Sequence, residues 1–338
     1  MKNFILYLFV VFALFSTSCK RNSLDVDVSN VIVPEVKINR LEQDIFNIDT
    51  ANIKSATENL QTKYGRFYSS YITRIINTGG LRDSSYATRI KQFISDRDMR
   101  EAYADCQKMY PDTDLLTKQL TGLFKHFKYY FPEKNVPKTI TMMSGFNYSV
   151  VILDSTLAIG LEMYLGSNNK FYQMLALPQY KTMFMNKENI VPDATRAWML
   201  IEFPYHMNKS DFLSEITYVG KIMYLTDAFL PDTHDSLKIQ YSQQQLDYCS
   251  QNEFNVWSYF AAQKLLYSTN QAEIMKFTSE GPFTSAFSKD APPRIGYWIG
   301  WQIIRQYMKN NPEVSIEQLM KEDDAQKILN KAKYKPRK

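Results

Sequence analysis

Glu202 and His206 stand four residues apart in the apolar stretch "RAWMLIEFPYHMNK". A zinc peptidase helix uses two neutral imidazoles at that spacing, with a glutamate beside the first as general base. Here the first histidine of the pair is missing. Pro204 lies between Glu202 and His206, and in a straight helix its ring clashes with the Leu200 carbonyl. The only histidines are His126, His206 and His234. Glu202 and His206 supply one carboxylate and one imidazole, short of the three protein ligands a catalytic zinc needs. The expectation is a helix ending near Phe203, with two polar residues near its end, no metal site and no catalytic residue. Nucleophilic chemistry is no better supported. There is no Gly-x-Ser-x-Gly turn, and Cys106 and Cys249 lack motif-like neighbours. The stretch "NTGGLRD" lacks the Lys-Ser/Thr of a phosphate loop, so no cofactor is expected. Glu162 in "GLEMYLG" stands among apolar neighbours and reads as an acid on the rim of the fold, with a buried acid as the alternative.

The elements that would position these residues are mostly helical. "VPEVKINRLEQDIF" alternates apolar and polar residues and reads as a strand ending near Phe46. From about residue 52 to residue 131 the pattern is helical, most clearly in "DTDLLTKQLTGLFKHFKYYF", which Pro132 ends. "TITMMSGFNYSVVILDSTLAIGLEMYL" then gives two or three short strands, with "SVVILD" and "TLAIGLEM" paired around "DST". Helical patterns return at about 193–203, 211–229, 243–267, 294–310 and 323–331. The expected class is α+β, predominantly helical with a small central β-sheet.

"PPRIGYWIGWQIIRQYMKNNP" is the most distinctive stretch. Gly296 and Gly300 share one helix face and admit a close backbone approach. Trp298, Trp301 and four isoleucines cover most of the remaining surface. Arg294, Gln302, Arg305 and Gln306 argue against a membrane span. A core helix crossing another helix at its glycines is the plain reading. The sharper one makes Trp298 or Trp301, with Arg294 beside them, an anchor for a partner protein.

The chain starts with Lys2 and an unbroken apolar run from Phe4 to Phe15, then Ser16, Thr17, Ser18 and Cys19. The run is short for a transmembrane span and has the form of a secretory signal. A cysteine after small residues reads as a lipoprotein cleavage site, with the lipid on the Cys19 sulfur. The expected organisation is a signal peptide at 1–18, a flexible tether at 19–30 and one globular domain at 31–338. The net charge of +5 is spread out, so no nucleic acid is expected as a partner. Export would allow Cys106 and Cys249 to pair, while buried free thiols remain the alternative.

The stretches "IGLEMYLG", "ALPQY", "IVPD", "VGKIMYLTDAFLPDT", "LDYCSQNEFNVWSYF", "PPRIGYWIGWQIIRQYM" and "KYKP" resemble, in order, the gliding-motility lipoprotein B family of Bacteroidota, GldB. The resemblance implies a cell-envelope lipoprotein needed for movement over surfaces. It would be membrane-attached through its N-terminal lipid and would act by contact with gliding-machinery proteins. The family supplies no catalytic residue to carry over. It also looks distantly similar to predicted zinc peptidases in which a His-Glu helix is followed by a helix with a Glu-Gly pair. Here Val219 precedes Gly220, so the resemblance implies a zinc-peptidase-like scaffold lacking its metal site. The alternatives are an atypical metal-dependent peptidase, and a degenerate cleft that binds a peptide or glycan near Tyr205 and Tyr218. Lys20 and Arg21 directly after Cys19 favour an outer-membrane lipoprotein facing the periplasm.

Overall fold

A computed structural model describes residues 24–336. Its strands are β1 (Ile38–Arg40), β2 (Lys138–Met142), β3 (Val150–Leu153) and β4 (Thr156–Gly160). They form one mixed sheet in the order β1-β2-β4-β3. β1 and β4 both run parallel to β2, and β3 and β4 pair antiparallel. The α+β expectation holds. Leu153 and Thr156 are joined by Asp154 and Ser155, both at positive φ (48° and 56°). Two left-handed residues in a two-residue loop are what a tight hairpin needs to match strand twist.

Two sequence readings change at the sheet. The strand expected up to Phe46 stops at Arg40, and α1 (Leu41–Phe46) follows at once. Leu41, Ile45 and Phe46 fall on one helical face and are all buried, so the helical period wins over a short alternation. The second hairpin strand ends at Gly160, before "LEMY" turns into a short 3₁₀ segment. Glu162 is therefore not on a rim. It is fully buried, because that turn folds inward under the loop after β2.

Between β1 and β2 lie α2 (Ile53–Tyr64), α3 (Arg66–Ser70), α4 (Tyr86–Ser95), α5 (Arg97–Met109) and α6 (Asp114–Tyr130). After the sheet come α7 (Lys170–Met174), α8 (Gln179–Thr182), α9 (Ile190–Glu202), α10 (Phe212–Phe229), α11 (Asp235–Ile239), α12 (Gln243–Ala262), α13 (Gln271–Thr278), α14 (Ile295–Asn310), α15 (Ile316–Lys321) and α16 (Ala325–Ala332). α9 ends at Glu202, as Pro204 dictates. Among the described residues no helix is long and apolar enough to cross a membrane. Cys106 and Cys249 are both buried and unbonded. Leu24, inside the expected tether, is only 7% exposed, and the Ser29 carbonyl accepts a hydrogen bond from Lys125 Nζ at 3.1 Å.

α10 is buried nearly all round, and α14 makes the most extensive helix contact with it. They cross backbone to backbone. A Cβ on Gly300 would sit 1.8 Å from the Ile216 carbonyl oxygen, and one on Gly220 would sit 2.3 Å from the Gly300 carbonyl oxygen. Gly296, one turn before Gly300, faces the Phe277 carbonyl and the Phe212 ring. The core-helix reading of the "GYWIGW" stretch is correct. Neither crossing residue can be enlarged without pushing rigid backbones apart. Gly300→Ala is therefore expected to lower unfolding free energy by about 3 kcal/mol or more, at or beyond the usual range for overpacking. Gly122→Ala on α6 meets nothing within 4 Å. It is expected to stabilise by about 0.5–1 kcal/mol through helix propensity. Urea unfolding of the two variants checks both signs.

Candidate functional site

Two aspartates in the second half of the chain, Asp193 and Asp227, are tied into the fold. Asp193, on the first turns of α9, is largely but not fully buried. Its Oδ1 accepts from Arg196 Nη2 at 2.5 Å and Gln240 Nε2 at 2.9 Å, and its Oδ2 accepts from the Tyr164 hydroxyl at 3.0 Å. Burial pushes its carboxyl upward against the pull of the Arg196 charge. Asp227 near the end of α10 is more heavily engaged. Its Oδ1 accepts from Lys238 Nζ (2.9 Å) and Arg305 Nη2 (2.8 Å). Its Oδ2 accepts from Trp301 Nε1 (2.8 Å) and Arg305 Nε (2.7 Å). Arg305 also forks onto Asp235 at 2.7 and 2.9 Å and lies 3.8 Å from the Trp301 ring centre. One carboxylate thus binds α10, α11 and α14 together. Burial opposes ionisation of Asp235, yet the Arg305 bonds and charge hold its carboxyl below the usual value.

Glu162 has no such cation. Its Oε1 accepts from the Ser144 amide and hydroxyl, both at 2.5 Å, and from the Phe146 amide at 3.1 Å. Its Oε2 has no partner. Burial pushes its carboxyl up. The group pins the loop between β2 and β3.

Glu202 and His206 do come together on the wall of one cavity of about 620 Å³. Its floor is Phe131, Pro132, Phe203, Pro204 and Met320, and its rim carries Lys134, Glu317 and Lys321. Glu202 pairs with Lys134 at 2.6 Å. The His206 ring Nδ1 lies 3.1 Å from the Pro204 carbonyl, and the residue is exposed. The turn between them is held from behind, since the Tyr218 hydroxyl donates to the Phe203 carbonyl (2.9 Å) and the Tyr205 ring packs edge-on against Tyr218. The exposed apolar side chains Leu200, Ile201 and Tyr205 flank this groove in sequence. One wall, α15, is secured by Lys221. That residue is fully buried, and its Nζ donates to the Glu322 carbonyl at 2.8 Å, capping the helix C-terminus. Among the described residues no three His, Cys, Asp or Glu side chains gather where they could hold a metal ion.

The remaining residues singled out in the sequence sit as follows. Trp301 is fully buried and spent on Asp227, so its ring reaches no partner. Trp298 is 7% exposed and lines a second, wider groove of about 1370 Å³. Arg294 precedes α14 at φ 56°, pairs with Glu280 at 3.2 Å and donates to the Ile239 carbonyl at 3.1 Å. Cys19 lies outside the described residues. Asp227 escaped the sequence reading. The signal was there in "YLTDAFL", a single carboxylate in a run that is apolar on every face, which demands a buried partner.

The family described as "Gliding motility protein GldB" matches residues 21–336. The chain belongs to that family of gliding-motility lipoproteins. No curated protein and no solved structure matches it. The match covers both halves described above, the sheet with its buried Glu162 and the α10–α14 block with its two grooves. It bears out the resemblance read from "VGKIMYLTDAFLPDT" and "PPRIGYWIGWQIIRQYM", which turn out to be the two crossing helices.

Two measurements follow from this geometry. Asp227→Ala strands a buried lysine, an arginine and an indole N–H, and is expected to destabilise by about 3–5 kcal/mol in denaturant unfolding. Lys221 gives a pH signature. Burial, against the carboxylates Glu322 and Asp323, pushes its ammonium down to about 8. Between pH 8 and the unfolded value near ~10.4 the unfolded chain binds more protons, so stability rises with pH across that window. Wild type should therefore gain stability relative to Lys221→Met between pH 8 and pH 10, read as the difference in urea midpoints.

Proposed function

We propose that this protein is an outer-membrane lipoprotein, anchored through acylated Cys19 and facing the periplasm, that supports the gliding machinery by protein contacts and without catalysis of its own. The observation that carries this reading is how the polar side chains are used. Asp193 and Asp227 are saturated by internal donors, and Glu202 is paired with Lys134. They brace the fold instead of facing a substrate. The Glu202–His206 groove, by contrast, offers an apolar floor inside a charged rim, the composition of a contact patch. Its walls are α9, α15 and the end of α6, all rigid elements, which suits recognition of a partner's polypeptide segment. The family match places the chain among gliding-motility proteins, and the N-terminal signal supports the anchor.

The test separates contact from chemistry. Ile201→Glu changes a side chain that is 62% exposed, so stability should move by no more than about 0.5 kcal/mol. Cells carrying it are expected to lose gliding, because the added charge stands next to Glu202 on the groove wall. Stoichiometric zinc in the purified protein, with peptide hydrolysis that disappears in Glu202→Ala and His206→Ala, would establish the metal-peptidase alternative instead.

A further inference from the structure

The wide groove is lined by Trp298 on α14, Leu246 and Ser250 on α12, the end of α10, and Leu24. Leu24 is the feature that orients it. This inference rests on acylation of Cys19, as proposed above. Five residue steps separate Cys19 from Leu24. They span at most about 18 Å when fully extended. The headgroup layer takes up about 5–8 Å of that reach. The wall of the groove at Leu24 therefore stands no more than about 13 Å above the headgroups. A folded domain of about 100 residues has a radius of gyration near 13 Å and does not fit beneath such a gap. What reaches the groove from that side must already lie at the membrane surface.

The charge on the groove says which chemistry. Asp227 and Asp235 are neutralised by Arg305 and Lys238. That leaves Asp232, Asp247 and Glu253 against Lys309, an excess of two negative charges. This potential repels anionic headgroups and favours cationic side chains. Trp298 and Leu246 add apolar and aromatic surface on which the stems of lysine and arginine pack. We infer that the groove faces the membrane and docks a short basic juxtamembrane segment of a membrane-embedded protein.

The experiment uses the full-length acylated protein in phosphatidylethanolamine–phosphatidylglycerol vesicles containing nitroxide-headgroup lipid. Fluorophores are attached singly at Ser250→Cys, on the groove wall, and at Met174→Cys, exposed on the sheet half of the molecule. Cys106 and Cys249 are fully buried and stay unlabelled. Quenching is expected to be several-fold stronger at Ser250 than at Met174. A transmembrane peptide with a Lys/Arg flank, reconstituted in unlabelled vesicles, is expected to protect the Ser250 label from an added water-soluble quencher, and one with a Glu flank is not. Asp232→Asn with Asp247→Asn should weaken the basic peptide roughly two- to thirtyfold, the range for two exposed ion pairs. Mass analysis of the N-terminal peptide separates the outcomes. An unacylated Cys19 overturns the anchored reading and this one with it. An acylated protein whose Ser250 label escapes quenching overturns only the placement of the groove. Equal protection by the two peptides, or by lipid alone, overturns the basic partner.

Discussion

The close crossing of α10 and α14 is the constraint on which the rest of the C-terminal half depends. Two backbones meet at Gly220 and Gly300 with no side chain between them. That contact brings Asp227, two turns along α10 from Gly220, beside Trp301 and Arg305 on α14. Without the crossing the carboxylate would keep Lys238 but lose every donor from Trp301 and Arg305, and an under-paired buried charge costs several kcal/mol. With it, one side chain joins three helices and leaves the charged half of the wide groove internally neutral. The same close approach packs α10 so tightly that nearly every position on it is buried, Lys221 included.

The two grooves are consequences of that block. They share Tyr130, at the end of α6, and take adjacent residues from the Ser315–Lys321 segment. One is apolar with a charged rim, and the other is polar with an aromatic wall. α15 between them is held by the Lys221 ammonium at its C-terminus. A change in α15 therefore alters a wall of both grooves.

Much of the fold was legible because it was written in local patterns. The hairpin at Asp154–Ser155 needed only two runs of β-branched residues around a turn pair. The crossing glycines at a four-residue spacing announced a core helix, and Pro204 set the end of α9. What could not be read depends on distant partners. Asp227 finds Arg305 across 78 residues, and Glu162 finds the Ser144 amide and hydroxyl across 18. Burial of a carboxylate is decided by such pairings, not by its neighbours in sequence, which is why Glu162 read as a rim acid. Glu202 and His206 were a fragment of a metal motif by spacing alone. The structure places both on one groove, where the turn at the helix-breaking proline leaves His206 facing solvent and its own backbone.

The proposed contact role of the Glu202–His206 groove can be probed at the end of α9. A photo-crosslinking amino acid at Ile201, introduced into the acylated protein in gliding cells, tests it most directly. The expected result is a discrete adduct with another envelope protein that vanishes when Leu200 carries a charge. Absence of any adduct in cells that still glide would contradict it.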